Sequence, residues 1–189
     1  MESLRPIAGI DYGARLSGTT VLALLHEEEI RLFPVAKGQD ADGELIRLID
    51  HWQPEFLAID APLSVPSGIR GTGAEFHLRR ADRMCGAMSP MFLGGLTARA
   101  MALRYHYRGS PITWMETYPS WMAKARFALD RKAHHLLLEQ LQTLWPQMSI
   151  PIPTDQHQLD ALLALAAAEY RRRHVSWHYG DPSDGVIVI

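Results

Sequence analysis

Two short apolar runs, each ending on an aspartate, constrain this chain more than any other feature. Ile7-Ala8-Gly9-Ile10-Asp11 runs directly into Tyr12-Gly13, and Phe56-Leu57-Ala58-Ile59-Asp60 runs into Ala61-Pro62. A continuous apolar run of this length reads as a strand covered on both faces. Burying it forces the terminal carboxylate to the strand's carboxyl end, the edge where ligands bind in open α/β sheets. Gly13 and Gly18 follow Asp11 and let backbone approach a ligand there. If the two strands are parallel neighbours, Asp11 and Asp60 lie side by side and can share one cation. The alternative for each is local: an aspartate that closes a turn through its own side chain.

The stretches around these runs fit a mixed sheet. Thr19 to Leu25 is β-branched and apolar, Glu27-Glu28-Glu29 is a polar tip, and Ile30 to Val35 alternates. Short charged connections of this kind join antiparallel strands, so a three-strand meander opens the chain. Gly13 to Gly18 lacks the Lys-Ser/Thr of a phosphate loop. Asp42 to Trp52 is a one-sided helix with Asp40 or Asp42 as its cap, stopped by Pro54. Val65 to Gly73 reads as an irregular loop, and Glu75 to Cys85 as a helix presenting Arg79, Arg80 and Arg83. Gly86 to Gly95 breaks it, and Leu96 to Tyr107 is a second helix carrying Arg99 and Arg104. Ile112 to Glu116 is a strand that again ends on a carboxylate, closed by Thr117 to Ser120. Arg131 to Leu144 is helical, Met148 to Pro153 a linker, and Thr154 or Asp155 caps a helix reaching about Arg173. Its alanines at 161, 164 and 166 to 168 allow close packing on the sheet, and Val186 to Ile189 is a last edge strand.

A length of 189 residues suits one domain, 1–189, with a helical insert at about 65–110. Much of the positive charge is concentrated in and just after the insert: between residues 70 and 132 there are eleven Lys/Arg against four Asp/Glu, although the whole chain is at −2. Such asymmetry suits one face to phosphates, and its alternative is arginine stems covering helix surfaces. The single cysteine, Cys85, excludes an internal disulfide and a cysteine-based zinc site. The nine histidines show no ligand spacing. No signal pattern opens the chain, and its longest apolar run, around Leu162 to Ala168, is far short of a membrane span. The expectation is a cytoplasmic protein without a membrane partner. Five tryptophans and eight methionines allow an apolar homodimer face without locating one.

Four acids from separate elements meet the needs of phosphoryl chemistry: Asp11, Asp60, Glu116 and Asp160. Mg²⁺ takes hard oxygen ligands, commonly one or two protein carboxylates completed by water and substrate phosphate. Mn²⁺ suits the same oxygen-rich set. Two such ions can clamp the attacking and leaving oxygens of an in-line displacement. Glu116 has the alternative of pairing with an arginine of the insert, and Asp160 that of complementing a helix amino terminus.

At these residues the chain resembles the predicted nucleases of the RNase H fold found in bacteria and archaea. Gly9-Ile-Asp11-Tyr-Gly13, Ala58-Ile-Asp-Ala-Pro-Leu-Ser64, Glu116-Thr-Tyr-Pro-Ser120, the Leu159 to Ala168 helix and Asp184-Gly-Val-Ile-Val188 carry the resemblance, in that order. It implies an α/β fold in which three antiparallel strands lead into parallel ones, flanked by helices. It also implies metal-binding acids on the first strand, the fourth strand and a late helix: Asp11, Asp60 and Asp160. Glu116 would take the next strand end, and Arg83 and Arg99 of the insert would contact phosphate.

The function expected from this is a Mg²⁺- or Mn²⁺-dependent nuclease or phosphodiesterase acting on nucleic acid or nucleotides. Two other classes compete. Related actin/sugar-kinase folds use a Gly-x-Asp-x-Gly turn to bind nucleotide and transfer phosphoryl groups, usually with two such domains. A non-catalytic binding module would use the acids as strand caps and the basic insert as a docking face.

Overall fold

The computed structural model of the chain describes residues 5–67 and 76–189. Seven strands form one mixed sheet in the order β3-β2-β1-β4-β5-β7-β6. The first three are antiparallel: β1 (Ile7–Asp11), β2 (Val21–His26) and β3 (Glu29–Pro34). The β2–β3 hairpin turns on Glu27 and Glu28, both at positive φ (49° and 67°), which is the two-residue turn shape that matches strand twist. Helix α1 (Ala41–Trp52) follows, capped by the Asp40 side chain, which accepts from the Asp42 and Gly43 amides. It returns the chain to β4 (Phe56–Asp60), parallel to β1, and β5 (Thr113–Glu116) runs parallel beside β4. Three antiparallel strands thus lead into parallel ones, flanked by helices, as expected.

Between β4 and β5 lie α2 (Arg80–Cys85), the single turn α3 (Pro90–Leu93) and α4 (Gly95–His106). The loop expected at Val65 to Gly73 and the start of the helix expected at Glu75 fall largely on residues 68–75, outside the described ones. The described helix begins only at Arg80. After β5 come α5 (Pro119–Phe127), α6 (His134–Leu144), α7 (Gln156–Arg172) and the closing hairpin of β6 (His178–Asp181) and β7 (Gly185–Val188).

Three sequence expectations need correction. Residues 117–120 do not merely end β5: Pro119 opens α5 as a first-turn proline, whose missing amide costs a helix nothing there. The helix expected from Arg131 starts at His134, because residues 130–133 form a turn that the Asp130 carboxylate closes on the Lys132 amide. The last strand is not at the edge, since β7 pairs with both β5 and β6. The His178-Tyr-Gly-Asp181 run is too polar to show as a strand in sequence, yet a sheet edge accepts it.

Helix α7 fixes the position of everything chemical. Every residue from Leu159 to Glu169 is buried. It lies on β1 so closely that a Cβ on Gly9 would stand 2.0 Å from the Leu165 nitrogen and 2.6 Å from the Ala161 oxygen. A bare α-carbon on the strand and small side chains on the helix permit that contact. With Ile7, Ala58, Met115 and helices α5 and α6, α7 fills one side of the sheet. Ala8, Ile10, Leu57 and Ile59 pack against α1 and α4 on the other. No helix of the described residues is long and apolar enough to cross a membrane.

Candidate active site

The two aspartates that end β1 and β4 are register partners: Asp11 pairs with Asp60 as Gly9 pairs with Ala58. Neighbouring strands lie about 4.8 Å apart and paired residues share a face, so the two carboxylates emerge side by side. They emerge towards α7. Asp160 stands in its second turn, buried, beyond the N-cap Asp155, whose side chain accepts from the Gln158 amide. One turn earlier on the same helix face, His157 Nδ1 lies 2.8 Å from Asp11 Oδ2, and the two share a proton. Gln156 donates to Asp160 Oδ1 at 2.8 Å. Arg131, from the α5–α6 loop, approaches Asp160 Oδ2 at 3.6 Å.

The three aspartates feel one another. Burial, then the charge of Asp160, raises the Asp11 carboxyl from its ordinary 3.8 to about 8, with Arg131 opposing. Burial and the charges of Asp11 and Asp160 hold Asp60 well above the usual carboxylate range. Asp160 is raised by burial, against the pull of Arg131 and the Gln156 hydrogen bond. Asp60 has no hydrogen-bond or ion-pair partner among the described residues. Crowded carboxylates, one of them unpartnered, form the electrostatic arrangement that a cation relieves. Among the described residues no group of three or more His, Cys, Asp or Glu side chains is placed to hold a metal ion by itself. Mg²⁺ does not require one, because water and substrate phosphate complete its octahedron. By donor chemistry, Asp11, Asp60 and Asp160 fit a hard divalent cation.

Glu116 is set differently from the three aspartates. The register places it opposite Ile59, one residue short of Asp60, so the pleat turns it to the other side from Asp60. There its carboxylate is occupied: Oε1 accepts from Arg79 Nη2 at 2.5 Å, and Oε2 accepts from Arg79 Nη1 at 2.7 Å and the Leu63 amide at 2.9 Å. Glu116 thus makes the ion pair with an arginine of the insert that was its alternative, and still lines the cleft that Asp60 lines. Arg79 is fully buried, with Asp82 as its second carboxylate at 2.6 Å. It also donates to Ser64 Oγ, which in turn donates to the Asp184 carbonyl. A Cβ on Gly185 (φ +124°) would stand 2.2 Å from Ser64 Oγ and 2.8 Å from Arg79 Nη1. This network ties the insert, β5 and the closing hairpin together.

The arginines expected to contact phosphate fare differently. Arg99 is held by Asp42 through Nε (2.9 Å) and Nη2 (2.7 Å), donates to the Gly13 carbonyl and lies over the Tyr12 ring. Tyr12 donates to the same Asp42. Arg99 therefore braces the loop after β1. Arg83 is exposed and donates to the Leu78 carbonyl. The residues that do stand beside the aspartates, His157, Gln156 and Arg131, escaped sequence reasoning. Spacing could have found two of them, since His157 and Gln156 lie three and four residues before Asp160 on one helix. A cleft of about 300 Å³ opens at this end of the sheet, lined by Tyr12, Asp60, Arg79, Glu116, Tyr118 and Arg131 among others.

No protein-family model and no curated protein matches the chain. Among solved structures, the chain is similar to RuvC of Thermus thermophilus, with 15% identity over 93% of this chain and 98% of that one and a TM-score of 0.48. It is similar also to T. thermophilus RuvC in complex with its Holliday junction substrate, with 16% identity, coverage of 94% and 99%, and a TM-score of 0.48.

Proposed function

We propose that this protein is a Mg²⁺- or Mn²⁺-dependent phosphodiesterase acting on nucleic acid, with Asp11, Asp60 and Asp160 as its metal-holding residues. One observation carries the reading: two register-paired aspartates at the carboxyl ends of parallel strands, faced by a third on a helix packed against them. A divalent ion held there would supply Lewis acidity towards a phosphodiester and acidify water near neutral pH. The remaining roles belong to the chain. His157 orients Asp11 by their shared proton, and Gln156 orients Asp160. Arg131, partly exposed beside Asp160, offers a guanidinium to the phosphate oxygens of a substrate in the cleft. Glu116 and Arg79 act indirectly, by holding the insert against the strand ends.

The test is hydrolysis of a small chromogenic phosphodiester and of an oligonucleotide, with Mg²⁺, Mn²⁺ or chelator. Asp11→Asn and Asp60→Asn each abolish metal-dependent turnover while the fold is retained. Undiminished hydrolysis in either variant refutes the assignment. Calorimetry showing no Mg²⁺ or Mn²⁺ binding at millimolar metal would favour a non-catalytic binding module.

A further inference from the structure

Arg131 borders a second depression besides the cleft. The second is wider, about 740 Å³, and is lined by Ser120, Lys124, Asp130, Arg131 and Lys132 with Ala128 and Leu129. Arg131 thus has Asp60 on one side of it and Lys124 and Lys132 on the other. The charge of the second depression is one-sided. Lys124 and Lys132 are exposed and have no carboxylate partner among the described residues. The one acid there, Asp130, turns its carboxylate onto the Lys132 amide. The Trp121 ring beneath the Lys124 ammonium, 5.4 Å away, gives that side chain a fixed support.

On the phosphodiesterase reading, a phosphate beside Asp60 would be met by a cation and by Arg131. Lys124 and Lys132 lie past that point and have no use for a mononucleotide. They match the next phosphates of a continuing strand. Resting on the phosphodiesterase reading, we infer that Lys124, Arg131 and Lys132 form a backbone-binding track leading out of the active site. The substrate is then a polynucleotide rather than a small nucleotide, held on this side through its phosphates and without regard to base.

The test pairs binding with turnover, using the full chain and the double variant Lys124→Gln/Lys132→Gln, whose exposed positions leave the fold intact. Binding of labelled 20-nucleotide DNA and RNA single strands is followed by fluorescence anisotropy from 50 to 300 mM salt with Mg²⁺ present. Each phosphate contact on a single strand contributes a slope of about −0.7 in log affinity against log salt, so the double variant should bind roughly 10- to 30-fold more weakly at 0.1 M salt with a slope shallower by about 1.4. The DNA and RNA arms distinguish the two sources of the same backbone chemistry. Turnover of the small chromogenic diester should be unchanged. Equal oligonucleotide affinity and slope in both proteins, or no binding by the wild type, overturns the track. A parallel fall in small-diester turnover also overturns it, since the lysines would then act inside the catalytic cleft. Wild-type protein that binds the strands but hydrolyses neither substrate with any metal would instead defeat the phosphodiesterase reading and leave the anisotropy result to judge the track.

Discussion

Replacing Asp11 by Asn should stabilise the metal-free protein at alkaline pH while destroying its response to metal. The folded chain holds the Asp11 proton up to about pH 8, whereas the ordinary carboxyl loses it at 3.8. Between those values the folded state binds a proton that the unfolded state has released, so stability falls as pH rises and the loss is complete only above 8. A full proton is worth about 1.4 kcal/mol per pH step, which gives a loss of roughly 2 kcal/mol between pH 6 and pH 8. For a chain of this length that corresponds to about 4–8 °C in midpoint. Asparagine has nothing to ionise and still reaches His157, so the variant should lack this decline. Metal reverses the sign, because a cation stabilises the ionised carboxylate and adds most at high pH. The assay is thermal unfolding of both proteins at pH 6, 7 and 8, in chelator and in 5 mM Mn²⁺. A wild-type decline no steeper than that of Asp11→Asn would refute the electrostatic account. Equal metal-induced shifts in the two proteins would remove Asp11 from the metal site.

Gly9→Ala should destabilise the protein by more than about 3 kcal/mol in chemical denaturation, because the new methyl meets the backbone of α7 rather than a side chain that can move. Arg79→Met should cost about 3–5 kcal/mol by leaving Glu116 and Asp82 buried without their cation, and adding Glu116→Gln and Asp82→Asn should recover much of that loss in the same measurement. His157→Ala should lower phosphodiesterase turnover about 10- to 100-fold with little change in unfolding midpoint, and His157→Gln should restore part of it. The Cys85 thiol, pushed up to about 12 by burial and by the nearby Asp82 and Glu116 charges, should react with a thiol reagent at pH 8 only at the rate of unfolding.

The strand ends were legible because two independent signals agree on them. An apolar run buried on both faces must stop where a carboxylate begins, and its repetition after one helix puts the second strand parallel to the first. Glu116 carries the same local signal, an apolar run stopped by an acid. Its placement depends on the pairing offset of β5 against β4, and a shift of one residue reverses the face. No local pattern encodes that offset. Arg79 was hidden for a different reason: an arginine in a helical stretch reads as surface, and only the meeting of Glu116 and Asp82 around it makes full burial tolerable. Similarly, β6 exists because β7 offers it a ladder, not because His-Tyr-Gly-Asp favours a strand.

The site divides by origin. Its acids come from the parts of the chain that pack most tightly: β1, β4 and the stretch of α7 in which eleven consecutive residues are buried. Their positions follow from core packing, since the Gly9–α7 contact that closes the core also sets Asp160 and His157 over the strand ends. The positive charges come from elsewhere. Arg131 belongs to a turn and Lys124 to the exposed side of α5, while two arginines of the insert serve as struts, Arg79 on Glu116 and Arg99 on Asp42. On the proposed function, acids that hold a cation against mutual repulsion need a rigid frame, because a displacement of about 1 Å is costly in catalysis. Lysines that follow a flexible polyanion need only density of charge and freedom to move. The basic surplus between residues 70 and 132 therefore serves two purposes. Its buried members hold the frame together, and its exposed lysines at 124 and 132 are the ones the proposed track uses.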